Sequence, residues 1–336
     1  PARESRLAEW LYEAGIGETR AALVEDGEIV EARIERDGEG PRLGAIVTAK
    51  LVDAGRGRKG ALVLLDHPDQ PHATLAAVPA PTSIGAALTV EVTRMALRER
   101  GRDKLARTRL AEAGAAVTDG PDLRARIAAS GAPVIDLRPT DADRLEQAGW
   151  SELIDCVRTG HWAFDGGALW VDATPAMVLI DIDGEGDALA LAKSGARAAA
   201  AVIRRCDIGG SIGIDFPSLP DRGGRHMVDA AIDAALPQPY ERTAVNGFGL
   251  MQIIRRRDRP SLIEQICLDP VATDGALLLR QAERATGTGP LTLAARANVI
   301  DYIAARPGWV DALQNRTGRP VRLMADPAMK GAGHAQ

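Results

Sequence analysis

Two short apolar runs each carry an aspartate where a carboxylate is costly. Residues 178–182 read VLIDI and residues 211–216 read SIGIDF, which sets Asp181 and Asp215 inside the β-branched pattern of buried strands. A carboxylate in such a run costs several kcal/mol unless it is paired or binds a cation. Asp183 follows two residues after Asp181 and shares its face of the strand. Three carboxylates on two adjacent strands are therefore the first place to look for chemistry.

The elements that must position them are legible. Gly184 and Gly186 break the first strand, Asp187 caps a helix over 188–205, and Gly209-Gly210 ends it before the second strand. Residues 221–236 (DRGGRHMVDAAIDAAL) predict an amphipathic helix with Arg222 and Arg225 on one side of its start. Residues 239–242 lead into a further strand, GLMQIIRRR. The run RRRDR, from Arg255 through Arg256 and Arg257 to Arg259, is the densest short basic cluster. It reads as a nucleic-acid contact or as a solvated strand end. His226 stands alone and reads as a surface or satisfied core histidine.

Upstream, residues 21–24 and 29–34 predict a hairpin around Glu25-Asp26-Gly27. Residues 43–97 hold four short strands separated by Gly, Pro and Asp turns, the pattern of a small barrel. No Phe, Trp or Tyr occurs between Gly44 and Leu97, so such a barrel lacks a stacking platform. Lys50, Arg56, Arg58 and Lys59 are its phosphate-contact candidates, or serve solubility alone. The basic run 98–109 reads as an exit linker that touches nucleic-acid backbone, or as a solvated charged segment. Helices over 122–130 and 140–148 flank the strand PVIDL, and residues 328–336 read as a frayed tail.

Composition sets outer bounds. The 336 residues suffice for two or three domains. Aromatics are 3% of the chain, so its cores are built from Ala, Leu, Ile and Val. Cys156, Cys206 and Cys267 form no CxxC, which argues against zinc and disulfides and fits a reducing cytosol. No apolar run reaches membrane-spanning length and the first residues lack a signal-peptide core, so a cytoplasmic location is expected. The net charge of −5 leaves no bulk basic field.

The patterns VDATPAMVLIDID, RRCDIGGSIGIDF and FGLMQIIRRRDRPSL resemble the catalytic subdomain of the ribonuclease E/G family. The resemblance implies an α/β (α+β multidomain) fold, with an RNase H-like/DNase I-like catalytic core and an inserted OB-type β-barrel. The implied layout is 1–42 and 99–167 for the RNase H-like layer and 43–98 for the barrel. The DNase I-like subdomain takes 168–265, a small terminal domain 266–327, and the tail the rest.

It further implies Mg²⁺, with Mn²⁺ as the alternative, held by Asp181 and Asp215. Asp183 stands where the family usually has Asn, as a third ligand or a water-positioning group, and Pro175 where it usually has Glu. Arg222, Arg225 and Arg242 would face RNA phosphates, with Lys50, Arg255 and Arg256 as further contacts. The family's CPxC zinc link is reduced to Cys267, so no zinc is expected. The family's sensor of the RNA 5′ end finds no match in residues 110–167. The implied function is metal-dependent endoribonuclease action on single-stranded RNA, leaving 5′-phosphate and 3′-hydroxyl ends. The alternatives are an RNA-binding protein with lost catalysis, and a plain α/β protein whose aspartates are strand-end caps. The implied partners are single-stranded RNA and a second copy of the chain, with no membrane.

Overall fold

Three strands, β1 (Glu9–Ala14), β2 (Glu18–Glu25) and β3 (Glu28–Arg36), form an antiparallel meander. The β2–β3 turn uses Asp26 and Gly27 with φ of 51° and 89°, the doubly positive backbone that matches the twist of a two-residue hairpin. The computed structural model describes residues 8–55, 60–101 and 103–336. Among these the chain is mixed α/β and divides into two units. One holds the described residues up to 37 with 130–158 and 265–336, and the other holds 38–129 and 159–264.

In the second unit, β4 (Ile46–Asp53), β5 (Ala61–Leu65), β6 (His72–Leu75), β7 (Ala87–Arg94) and β8 (Ala106–Leu110) close a five-stranded barrel. Its strand order is β4-β5-β6-β8-β7, and β6–β8 is its parallel pair. Alternation fills the interior with small aliphatics such as Val47, Ala49, Leu51, Val63, Leu75, Val90 and Ala106. The fifth strand corrects the linker expected over 98–109, and extends the barrel past residue 98. Ala106 and Thr108 point inward while Arg107 and Arg109 point out, so a basic run conceals a period of two.

Along the chain α1 (Leu123–Ala128) precedes β9 (Val134–Leu137), and α2 (Arg144–Gln147) and α3 (Trp150–Thr159) follow it. The helix expected over 140–148 shrinks to four residues, and α3 was not anticipated. Next come β10 (His161–Phe164), β11 (Gly167–Ala173), β12 (Val178–Gly184), α4 (Ala188–Arg205), β13 (Gly210–Asp215), α5 (Arg222–Ala235), β14 (Glu241–Arg242) and β15 (Leu250–Arg255). Their six strands lie in the order β10-β11-β12-β13-β15-β14. β12 and β13 are parallel, joined by the crossover helix α4, and the other neighbours are antiparallel. Asp187 caps α4 by accepting from the Ala190 N–H, at the position expected, and Asp221 caps α5 by accepting from the Gly224 N–H.

The first unit pairs β9 parallel to β1, giving the sheet β3-β2-β1-β9. After α6 (Leu262–Cys267) come α7 (Pro270–Arg284), β16 (Leu291–Ala295), α8 (Ala297–Ala304), α9 (Pro307–Thr317), β17 (Val321–Ala325) and β18 (His334–Ala335). Leu278, Leu279, Leu291, Leu293, Ile303 and Leu313 form an apolar core there with Ile16. The tail expected over 328–336 is corrected, because β18 pairs with β16 and Gln336 and Thr292 exchange backbone hydrogen bonds. Buried charges hold this unit as well. Arg20 Nε lies 2.6 Å from Glu13, Arg280 reaches Glu13 and Glu18 at 3.1 and 3.2 Å, and Arg36 reaches Glu18 at 2.9 Å.

Candidate active site

One face of the six-stranded sheet is buried. Leu169, Val171, Ile180, Ile182, Ile212, Ile214, Met251 and Ile253 point into the core. α4 packs on that side, and Gly195 lets it approach β12 so closely that a Cβ there would lie 2.5 Å from Ile182 Cγ2. The alternate residues of the same strands face outward by the period of two.

Register then assembles the site. Asp181 is paired directly with Asp215 across the parallel β12–β13 ladder. Trp170 pairs with Asp181 on one side and His161 with Trp170 beyond it, while Leu250 pairs with Asp215 on the other side. A single row therefore crosses five strands as His161, Trp170, Asp181, Asp215 and Leu250. Neighbours in such a row are about 5 Å apart at Cα.

The two carboxylates feel each other. Desolvation pushes the Asp181 carboxyl above its ordinary range, and Asp215 and then Asp183 push it further, against a backbone hydrogen bond from Ile182. Repulsion between like charges is relieved by a proton or by a cation. Two carboxylates in register fit a divalent ion that takes oxygen ligands and keeps most of its waters. Asp183 accepts from its own Gly184 N–H at 2.9 Å. Among the described residues no group of three or more His, Cys, Asp or Glu converges as a metal centre.

The basic residues expected at the site differ in their freedom. Arg222 is exposed at the start of α5 and donates to His226 Nε2 at 3.1 Å. Arg225 is spent on the chain itself, donating to the Leu219 carbonyl at 2.8 Å. Arg242 lies 2.5 Å from Asp233 and 3.3 Å from the buried Asp229, and the Asp233 hydrogen bond holds its guanidinium firmly protonated. Arg255 donates to the Ile208 carbonyl at 2.8 Å, beyond the end of α4. Arg257 is clamped between Glu99 and Glu264. Arg256 is exposed, with Asp258 at 2.9 Å, so the RRRDR run is not one free patch.

Lys50 is exposed on β4 of the barrel. Arg56, Arg58 and Lys59 lie outside the described residues. Cys267 donates its thiol proton to the Val157 carbonyl, with Sγ 3.3 Å from the oxygen.

Sequence reasoning missed the aromatic side chains beside the carboxylates. Trp170 is 51% exposed, and its ring lies 4.7 Å from that of His161. Phe248 is 88% exposed in a turn held by Asn246, whose Oδ1 accepts from the Phe248 and Leu250 N–H groups. Alternation within ALWVD, with Leu169 and Val171 inward, was the available signal for Trp170.

A match to a known family falls on this same segment. Residues 118–258 match the Ribonuclease E/G family. A chloroplastic ribonuclease E/G-like protein of Arabidopsis thaliana is 32% identical over 112 residues. That match covers 29% of this chain and only 11% of the plant protein. No helix among the described residues is long and apolar enough to cross a membrane. The segment that carries the paired aspartates is thus the part of the chain that is similar to the ribonuclease E/G family.

Proposed function

We propose that the protein is a metal-dependent endoribonuclease that hydrolyses single-stranded RNA to 5′-phosphate and 3′-hydroxyl ends. The observation that carries this reading is the direct pairing of Asp181 with Asp215 within the family-matched segment. Asp181 and Asp215 would hold one Mg²⁺, or Mn²⁺ in its place, and Asp183 would position a water from the end of the same strand. The ion, when bound, supplies a lowered water pKa and neutralises charge on the phosphate. The protein's own part is to fix the two carboxylates at neighbouring strand positions, where α4 packs β12 from behind. Arg222 and Arg256, the less committed cations, would meet RNA phosphates. The barrel has the strand order of an OB-type fold and would guide the strand through Lys50.

A second reading is RNA binding without cleavage. It is favoured by the hydrogen bond that turns Asp183 onto Gly184, with no third group converging among the described residues. Labelled single-stranded RNA incubated with the chain in Mg²⁺, Mn²⁺ or EDTA separates the two. Hydrolysis with either ion, lost in EDTA and in Asp181→Asn and Asp215→Asn with unchanged circular dichroism, supports the nuclease. Binding without hydrolysis supports the second reading.

A further inference from the structure

We propose that Trp170, backed by His161, is a stacking platform for one nucleobase of single-stranded nucleic acid, next to the phosphate addressed by the aspartate pair. The proposal rests on the RNA-directed reading above and adds the residue that holds the base. Three observations carry it.

The first is register. Trp170 lies directly opposite Asp181, which lies opposite Asp215, so the indole and both carboxylates share one face and one row. The second is geometry. Trp170 is half exposed while Trp10, Trp150 and Trp162 are buried, and the His161 ring sits behind it at 4.7 Å with a 54° tilt. A large apolar ring kept open to solvent and steadied from one side is what base stacking requires. The third is charge. Asp172, two residues along β11 and on the same face, pairs with the exposed Arg100 at 3.6 Å. A guanidinium thus lies at the rim of the platform, where the nucleotide's own phosphate would sit.

The platform also supplies what the barrel lacks. With no aromatic between Gly44 and Leu97, stacking has no foothold on the barrel. Every base has a π-face, so one indole predicts tolerance of base identity together with a need for some base.

The test uses the full chain carrying Asp181→Asn, so that RNA stays intact. Two decamers of single-stranded RNA are titrated, one with all its bases and one with abasic sugars throughout, while tryptophan emission and Kd are recorded. The base-bearing decamer is expected to quench emission and to bind about 5- to 100-fold more tightly than the abasic one, the worth of one base–aromatic stack. Added Trp170→Ala should remove both differences, and Trp170→Phe should restore much of the affinity without the quench. Ile84→Ala, at an exposed barrel residue, should change neither.

Equal binding of the two decamers, or full affinity in Trp170→Ala, overturns the platform. So does emission that shifts with protein concentration and not with RNA, which would mean a second copy covers the indole. Cleavage of the base-bearing decamer by the unsubstituted chain in Mg²⁺ is scored separately. Cleavage without a Trp170 effect defeats the platform alone, quenching without cleavage defeats the nuclease reading alone, and no binding at all defeats both.

Discussion

Arginine at this protein's surface is sorted by what each guanidinium already holds. Arg255 satisfies the Ile208 carbonyl just past the end of α4, where helix termini leave acceptors open. Arg256, one residue on, projects into solvent. Replacing Arg255 with Ala is therefore expected to lower stability by about 1–3 kcal/mol in urea melts, the cost of an unsatisfied buried acceptor. Arg256→Ala should leave the melt unchanged and weaken RNA binding instead. Arg242 belongs with Arg255. Its loss leaves the buried Asp229 with the Val245 N–H and no adjacent guanidinium, so Arg242→Ala should destabilise more than Arg222→Ala does. If Arg242→Ala melts like the unsubstituted chain while losing RNA affinity, its role lies with the ligand.

At the scale of elements, the strand–helix–strand that presents the carboxylates was legible because each part has a local signature. VLIDI and SIGIDF are apolar and β-branched, and Asp187 and Asp221 stand immediately before helices that they cap. What escaped lacked a local signature. β8 reads as a charged run because two of its five side chains are arginines facing water. β18 spans two residues and exists through β16, some forty positions earlier. The fate of Arg257 depends on Glu99, which no pattern around residue 257 reveals.

The packing of α4 on β12 makes a sharper prediction. Alanine usually stabilises a helix relative to glycine by about 0.5–1 kcal/mol. At Gly195 the new methyl would meet Ile182 Cγ2 at 2.5 Å, an overpacking that costs about 1–3 kcal/mol. Overpacking should win, so Gly195→Ala is expected to lower the urea midpoint. It should also reduce cleavage, since Ile182 adjoins Asp181. A higher midpoint would show that β12 yields easily.

Across the whole molecule, net charge and buried charge set the solution behaviour. With a net charge of −5, the proposed RNA affinity would rest on local cations and the proposed Trp170 stack. Log K should fall with log salt by about 0.7 per phosphate contacted, measured between 50 and 200 mM. A flat dependence would mean that phosphate contacts matter little.

Acid should act on the first unit through Glu13. Burial pushes this carboxyl up, yet Arg20 and Arg280 outweigh it and hold it below the ordinary carboxylate range. Burial, with Arg280 nearby, pushes Arg20 down to about 10, so both remain charged at neutral pH. A carboxyl depressed in the folded state contributes stability above its unfolded pKa, which is lost as pH falls through the folded value. Urea midpoints should therefore drop below about pH 4. Glu13→Gln, which leaves the buried Arg20 with Asp143 alone at 3.3 Å, should cost about 3–5 kcal/mol at pH 7 and flatten the acid limb. An unchanged acid limb in that variant would place the sensitivity elsewhere.

The first unit joins strands from the start of the chain to elements from its middle and far end, which bears on synthesis by the ribosome. Arg36 donates to the Gln265 carbonyl and to Thr273 Oγ1, partners 229 and 237 residues downstream. At roughly 5–20 residues per second, the emerging β2–β3 hairpin waits about 10–50 s for them. Throughout that interval Arg36 has Glu18 of the neighbouring strand but lacks these two later acceptors, while every residue of the barrel and of the aspartate-bearing sheet leaves the ribosome. The unit that carries the site can thus be complete before the one that begins the chain.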